Sequence, residues 1–215
     1  MREGNPLFLK LFDIALLAGP RLYYCDSDVL FVRRFTGIFA PPVEKAQFTF
    51  MADSQHAYAL RPWQLPPSGP VQIVGRVNTG LIVWQRPELD LDLLEWLFGR
   101  LHADRGFCSR PYWAEQTSWA VLAARAETYL FDERRIVLAR ADMSRLSPDA
   151  IAIHFVSTHR DQLIPYRDRP LPDEPPASIP AYPARRVAAL GMVGSELRRR
   201  IGALVSRVPG FTGYA

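Results

Sequence analysis

The sequence is poor in cysteine, and the little it has is unpaired: Cys25 and Cys108 lie far apart and neither sits in a CxxC motif. A disulfide framework and a cysteine-based zinc site are thereby excluded, and both thiols read as reduced, buried small hydrophobes. Long apolar runs are missing too. The longest candidate, Pro6 to Gly19, is broken by Lys10 and Asp13, well short of the roughly 18–20 apolar residues a bilayer span needs. The start, Met1-Arg2-Glu3-Gly4-Asn5-Pro6, has neither the basic flank nor the small-residue cleavage site of a secretory signal, so a cytoplasmic chain is expected. There are no internal repeats.

Concentrated positive charge on the folded body is likewise absent. The net charge is +4, but from Arg185 onward Arg185, Arg186, Arg198, Arg199, Arg200 and Arg207 face only Glu196, which leaves everything before them close to neutral. Nucleic-acid recognition wants a basic stripe interleaved with aromatics on the body, so no nucleic-acid partner is expected. What is present, 48% hydrophobic and 22% charged residues in 215, suits a soluble globular chain of one domain plus a tail.

Leu7, Leu11, Ile14 and Leu17 repeat at helical spacing, with Gly19-Pro20 as a stop. Leu22–Cys25 and Val29–Val32 read as short buried strands or strand ends flanking Asp26-Ser27-Asp28. Arg61 to Pro70, with four prolines and a glycine, reads as a loop. Val71–Val74 and Leu81–Trp84 read as strands on either side of a break at Arg76–Gly80. Pro87 opens an amphipathic helix through Leu101, and a second helix starts near Tyr112. Thr128–Phe131, Ile136–Leu138 and Ala150–Val156 read as strands. The alternation predicts an α/β fold. Seven prolines between Pro165 and Pro183 read as a linker, giving a core over 1–164, a linker over 165–184 and a basic helical tail over 185–215. The tail's pattern permits docking to a partner, or peripherally to the inner face of a membrane.

Asp-x-Asp spacing alone means little, because Asp90-Leu91-Asp92 has it too and lies where acids serve a helix N-terminus. Asp26-Ser27-Asp28 differs in interrupting an apolar segment. Two carboxylates there repel and lose solvation unless a cation or hydrogen-bond donors compensate. Mg²⁺ or Mn²⁺ commonly bridges such acids to a diphosphate. His154 stands in the otherwise apolar run Ile151–Phe155. A lone histidine in such a place is more often a satisfied core residue, yet imidazole joins carboxylates readily around a borderline cation. His159 and Arg160 follow, and an arginine fork matches phosphate oxygens. Asp53, His56 and Arg61 lie in a polar stretch read as a solvated or acceptor loop, and Trp63 is a candidate sugar-stacking platform.

The order Pro6-Leu7-Phe8-Leu9-Lys10-Leu11, Leu22-Tyr23-Tyr24-Cys25-Asp26-Ser27-Asp28-Val29-Leu30-Phe31, Val77-Asn78-Thr79-Gly80-Leu81-Ile82-Val83, Glu115-Gln116 and Ile153-His154-Phe155 resembles the retaining galactosyltransferase and glycogenin-like glycosyltransferases. The resemblance implies a GT-A fold, a mixed sheet flanked by helices. By that resemblance, the first strands of the half that binds the nucleotide base are expected to be missing, since the family's pattern is matched only from the helix just before the acidic pair. It also implies a metal-dependent glycosyltransferase that moves a sugar from a nucleotide-diphosphate donor to a glycan, lipid or protein acceptor. Asp26, Asp28 and His154 would hold Mn²⁺ (or Mg²⁺). Asp26, Ser27, Asp28, Asn78 and Arg160 would contact the donor, and Glu115 and Gln116 would stand near the reacting carbon. Glu115 occupies a position where that family usually has aspartate. Two alternatives are a degenerate, non-catalytic domain of the same fold and a haloacid-dehalogenase-like phosphatase with Asp26 as nucleophile. Against the phosphatase, the chain has only two lysines, Lys10 and Lys45, and no downstream Asp-Asp pair.

Overall fold

The computed structural model describes residues 7–17, 19–38, 45–60, 72–85, 89–103 and 111–187, together with residues 193, 194, 197 and 201. The chain is mixed α/β. Helix α1 (Leu7–Leu16) leads into strands β1 (Arg21–Cys25), β2 (Val29–Phe31), β3 (Phe35–Thr36), β4 (Phe48–Ala52) and β5 (Val77–Gln85). Helices α2 (Leu91–Ala103) and α3 (Ala114–Ala123) follow, then β6 (Thr128–Phe131), β7 (Ile136–Leu138) and β8 (Ala152–His154). A 3₁₀ stretch over Ser157–Leu163, the one-turn α4 (Ile164–Arg167), β9 (Ala177–Ser178) and β10 (Ala181–Pro183) complete it.

The main sheet has the order β1-β5-β4-β6-β10, and a smaller sheet has the order β2-β8-β7. Because β5 is antiparallel to β1 and β4, while β6 is parallel to β4, strands β1, β4 and β6 run the same way. Their carboxyl ends therefore open on one edge of the sheet, where ligands of α/β proteins collect. Alternation along β5 divides the core. Ile82 and Trp84 point to the helical side with Phe48, Phe50, Leu11, Ile14 and Trp119, whereas Leu81 and Val83 meet Met51, Phe131, Ile136 and Ile151 beneath the small sheet. Trp84 and Trp119, both fully buried, stack edge to face with centroids 5.3 Å apart, an arrangement aromatic quadrupoles favour.

Several expectations change here. The break at Arg76–Gly80 is no strand end: β5 begins at Val77 and absorbs the irregularity as a bulge, with Phe50 facing Ile82 but Met51 facing Asn78. Of the expected strand near Val71–Val74, the described residues keep a single bridge, Val74 to Arg186. The stretch from Ala52 to Leu60 is not a solvated loop, since Asp53, Ala57, Tyr58, Ala59 and Leu60 are buried. Cys25 is exposed rather than buried, because β1 alternates and its odd positions face outward. The proline-rich stretch is woven into the body: β9 pairs with β3 and β10 with β6, and chain pairing continues to Val187, whose N–H donates to the Ile73 carbonyl. Pro183 closes the edge strand β10, where a missing N–H is tolerated, and the other prolines of the stretch lie outside strands. Asp90 behaves as expected, its carboxylate accepting the Leu93 N–H at 2.8 Å at the start of α2. Cys108, Arg61, Trp63 and most of the tail beyond Val187 lie outside the described residues.

Candidate metal centre

The acidic pair sits in the turn that carries the chain from the main sheet to the small one. Asp26 follows the last residue of β1, and its N–H donates to the Gly80 carbonyl on β5 at 2.8 Å. Asp28 precedes β2, and its carbonyl accepts the Phe155 N–H, also at 2.8 Å. Since Val29 faces His154 in the β2–β8 register, the turn brings the histidine of β8 onto both acids. Nε2 of His154 is 3.1 Å from Oδ1 of Asp28 and 3.8 Å from Oδ2 of Asp26. One ligand atom from each of Asp26, Asp28 and His154 lies within 4.8 Å of the others, so the three can hold a metal ion.

The ring's other nitrogen defines its state. Nδ1 of His154 is 3.1 Å from Oδ1 of Asn78. The orientation of that amide is set on both sides: Oδ1 also accepts the Gly80 N–H at 2.9 Å, and Nδ2 donates to Asp53 at 3.1 Å. Facing an acceptor, Nδ1 must carry the proton, which leaves the Nε2 lone pair turned toward two carboxylates unless a second proton binds. Either that second proton, with Nε2 then donating to Asp28, or a metal ion taking the lone pair satisfies the arrangement. A histidine oriented through its second nitrogen is also how metal ligands are held.

Gly80 has a steric duty. A Cβ built there would lie 2.3 Å from Nδ1 of His154, so only glycine leaves room for the ring against β5. Asn78 therefore serves this site differently from expectation. It is buried, with its amide committed to Asp53, Gly80 and His154, and it orients the imidazole rather than facing a ligand.

Two cations of the protein flank the acids. Arg160 donates from Nε to Asp28 at 2.8 Å while its side chain stays 69% exposed. Burial pushes the Asp28 carboxyl up, but the hydrogen bonds and charges of His154 and Arg160 outweigh it and hold it at about 2. The second cation is Lys10, which sequence reading treated only as an interruption of α1. Its Nζ lies 3.0 Å from Asp26 and donates to the Thr79 carbonyl at 2.6 Å, over the Tyr24 ring. Tyr24 donates its hydroxyl to Oδ1 of Asp26 at 2.7 Å, while Lys10 also donates to Oδ2 at 3.1 Å; burial, with the tyrosine's bond, raises the Tyr24 pKa.

Glu115 enters through Lys10, whose Nζ is 3.9 Å away. It is buried, accepts the Thr79 hydroxyl at 3.1 Å on one oxygen and, on the other, which faces Lys10, has no hydrogen-bond partner. Desolvation lifts it to about 7, against the opposing pull of Lys10. Gln116 is not drawn in with it: its amide donates to the Ala57 carbonyl at 3.0 Å and pins the segment after β4. Ser27 is exposed at the turn's tip. No family model and no curated protein matches the chain. Among the described residues, no helix is long and apolar enough to cross a membrane.

Proposed function

We propose that the chain is a GT-A-type glycosyltransferase core, in which Asp26, Asp28 and His154 hold Mn²⁺ or Mg²⁺ against the diphosphate of a nucleotide sugar. The observation that carries the reading is the ring of His154, held by Asn78 with Nε2 aimed at two carboxylates on the carboxyl-end edge of the sheet. Two oxygens and one imidazole nitrogen suit a cation of borderline hardness, which favours manganese over magnesium. Bound there, the ion would stabilise the departing diphosphate as a Lewis acid.

The remaining roles belong to the chain's own side chains. Arg160, anchored on Asp28 yet largely exposed, reaches the solvent side where phosphate oxygens would lie, and its planar fork matches them. Lys10 adds a second positive charge within the site. Glu115 places a carboxyl behind Lys10, held by Thr79. The buried setting of Lys10 and Glu115 strengthens their interactions relative to water. For the phosphatase alternative, both oxygens of Asp26 are already engaged by Tyr24 and Lys10, which weighs against Asp26 as nucleophile. A screen of nucleotide sugars by thermal shift and donor hydrolysis in the presence of Mn²⁺ tests the proposal. At least one donor should stabilise the wild type and be hydrolysed, and Asp28→Asn should lose both effects. If no donor does either, the proposal fails.

A further inference from the structure

The carboxyl-end edge that carries the metal centre holds a second feature. A cleft of about 1020 Å³ opens between the segment after β4, the turn after β6 and strand β7. Small-molecule sites typically span roughly 300–1,000 Å³, so this one is large enough for more than a single sugar ring. It adjoins the centre through the backbone: Ala52 on its wall precedes Asp53, the partner of Asn78, and Leu138 is the register partner of His154.

The lining is basic. Among the described residues, Arg76, Arg134 and Arg140 border the cleft with a single carboxylate, Glu133, which pairs with Arg76. The guanidinium groups of Arg134 and Arg140 are exposed and have no partner among the described residues. Arg76 carries a further sign. Its φ is +61°, the left-handed region that favours glycine, at about 1–2 kcal/mol for a residue with a Cβ. Three bonds hold it there: its N–H donates to Nδ1 of His56, its carbonyl accepts the Asp53 N–H at 2.7 Å, and its Nε donates to the Asp53 carbonyl. Glycine would take this conformation without strain. An arginine kept there puts a guanidinium on the cleft wall at an energetic cost, the pattern of strain at functional positions.

We propose that this cleft is an anion-reading subsite that binds an acidic glycan, one bearing carboxylate or phosphate groups, through Arg76, Arg134 and Arg140. As an acceptor subsite it rests on the transferase reading; as a binding site it does not. Guanidinium forks engage both anions in paired hydrogen bonds and have no comparable interaction with a neutral hydroxyl-lined sugar.

Calorimetric titration of the full chain at low salt tests this, with three probes: a short oligouronate, a phosphorylated oligosaccharide and a neutral oligoglucoside of the same length. At least one acidic probe should bind at least about tenfold more tightly than the neutral one, and which one binds identifies the anion. The double variant Arg134→Gln/Arg140→Gln, altered only at exposed side chains, should weaken that binding by about tenfold to a hundredfold, two charged hydrogen-bonding groups being lost. Mn²⁺ affinity measured on the same variant should not change. Equal binding of acidic and neutral probes, no binding of either acidic probe, or binding untouched by the double variant overturns the proposal. Loss of Mn²⁺ binding in the wild type would instead count against the transferase reading.

Discussion

Nδ1 of His154 stands 3.1 Å from Oδ1 of Asn78, and this contact, between strands far apart in sequence, decides what the other ring nitrogen can do. Truncation of Asn78 to alanine leaves all three metal-ligand side chains in place but frees the ring and the tautomer. Metal affinity should fall about tenfold to a hundredfold, the usual effect of removing an orienting partner. ¹⁵N chemical shifts of the imidazole in the metal-free protein should show Nδ1 protonated in the wild type and mixed in the variant.

Gly80→Ala is a sharper test of the same seat. The new methyl would fall within 2.4 Å of two atoms of the buried ring, so His154 or β5 must shift. Overpacking of this kind costs about 1–3 kcal/mol. The melting temperature should drop, and Mn²⁺ binding should fall further than in a destabilised variant with its mutation elsewhere in the core.

Glu115 should leave a signature in the pH dependence of stability. Its folded value of about 7 lies above the ordinary 4.5, so between those values the folded state binds the proton more tightly than the unfolded chain. Stability therefore falls as pH rises from about 4.5 to 7, by about 3 kcal/mol for a shift of this size. In denaturant titrations with a chelator present, wild type and Glu115→Gln should match near pH 4.5, with the variant the more stable above 7. Asp28 acts at the acid end. Its folded value of about 2 lies below 3.8, so its contribution is intact above pH 4 and is lost as pH falls through about 2.

Lys10→Gln should split two properties that usually move together. Removing an ammonium beside Asp26 breaks a largely buried ion pair, and stability should fall by about 3 kcal/mol, the lower end for such pairs because Asp26 is partly exposed. The same change leaves the carboxylates less neutralised, so Mn²⁺ should bind more tightly while inorganic pyrophosphate binds the loaded protein less well. A titration in which both affinities fall would mean that Lys10 acts only by holding the turn together.

The cluster of Asp26, Asp28 and His154 was more legible in the sequence than its supports. Asp26-Ser27-Asp28 stood out as an acidic interruption of an apolar stretch, and His154 as the one polar side chain of a buried strand. Both signals are local. Lys10 carried no such signal, because sixteen residues and a helix-to-strand turn separate it from Asp26, and within α1 it reads as an ordinary polar position. Strand β4 went unread because Phe48-Thr49-Phe50-Met51-Ala52 is buried on both faces, and such a run has no alternation to betray it. Asn78 was singled out, but its direction was misjudged, since whether an amide faces a ligand or a histidine depends on strand pairing. The edge pairings of β9 and β10 lie behind prolines that suggest a linker. Most of those prolines lie between the short strands, and Pro183 ends one at the sheet's edge, so none interrupts a ladder.

The central claim is that the corner between the two sheets binds a divalent cation through Asp26, Asp28 and His154. Calorimetric titration of Mn²⁺ into wild type and Asp28→Asn at pH 7.5 tests it most directly. A single site in the wild type, weakened by about a hundredfold or more in the variant, is the predicted result, because one charged ligand of three is lost. No saturable site in the wild type, or equal affinity in the two proteins, would contradict it.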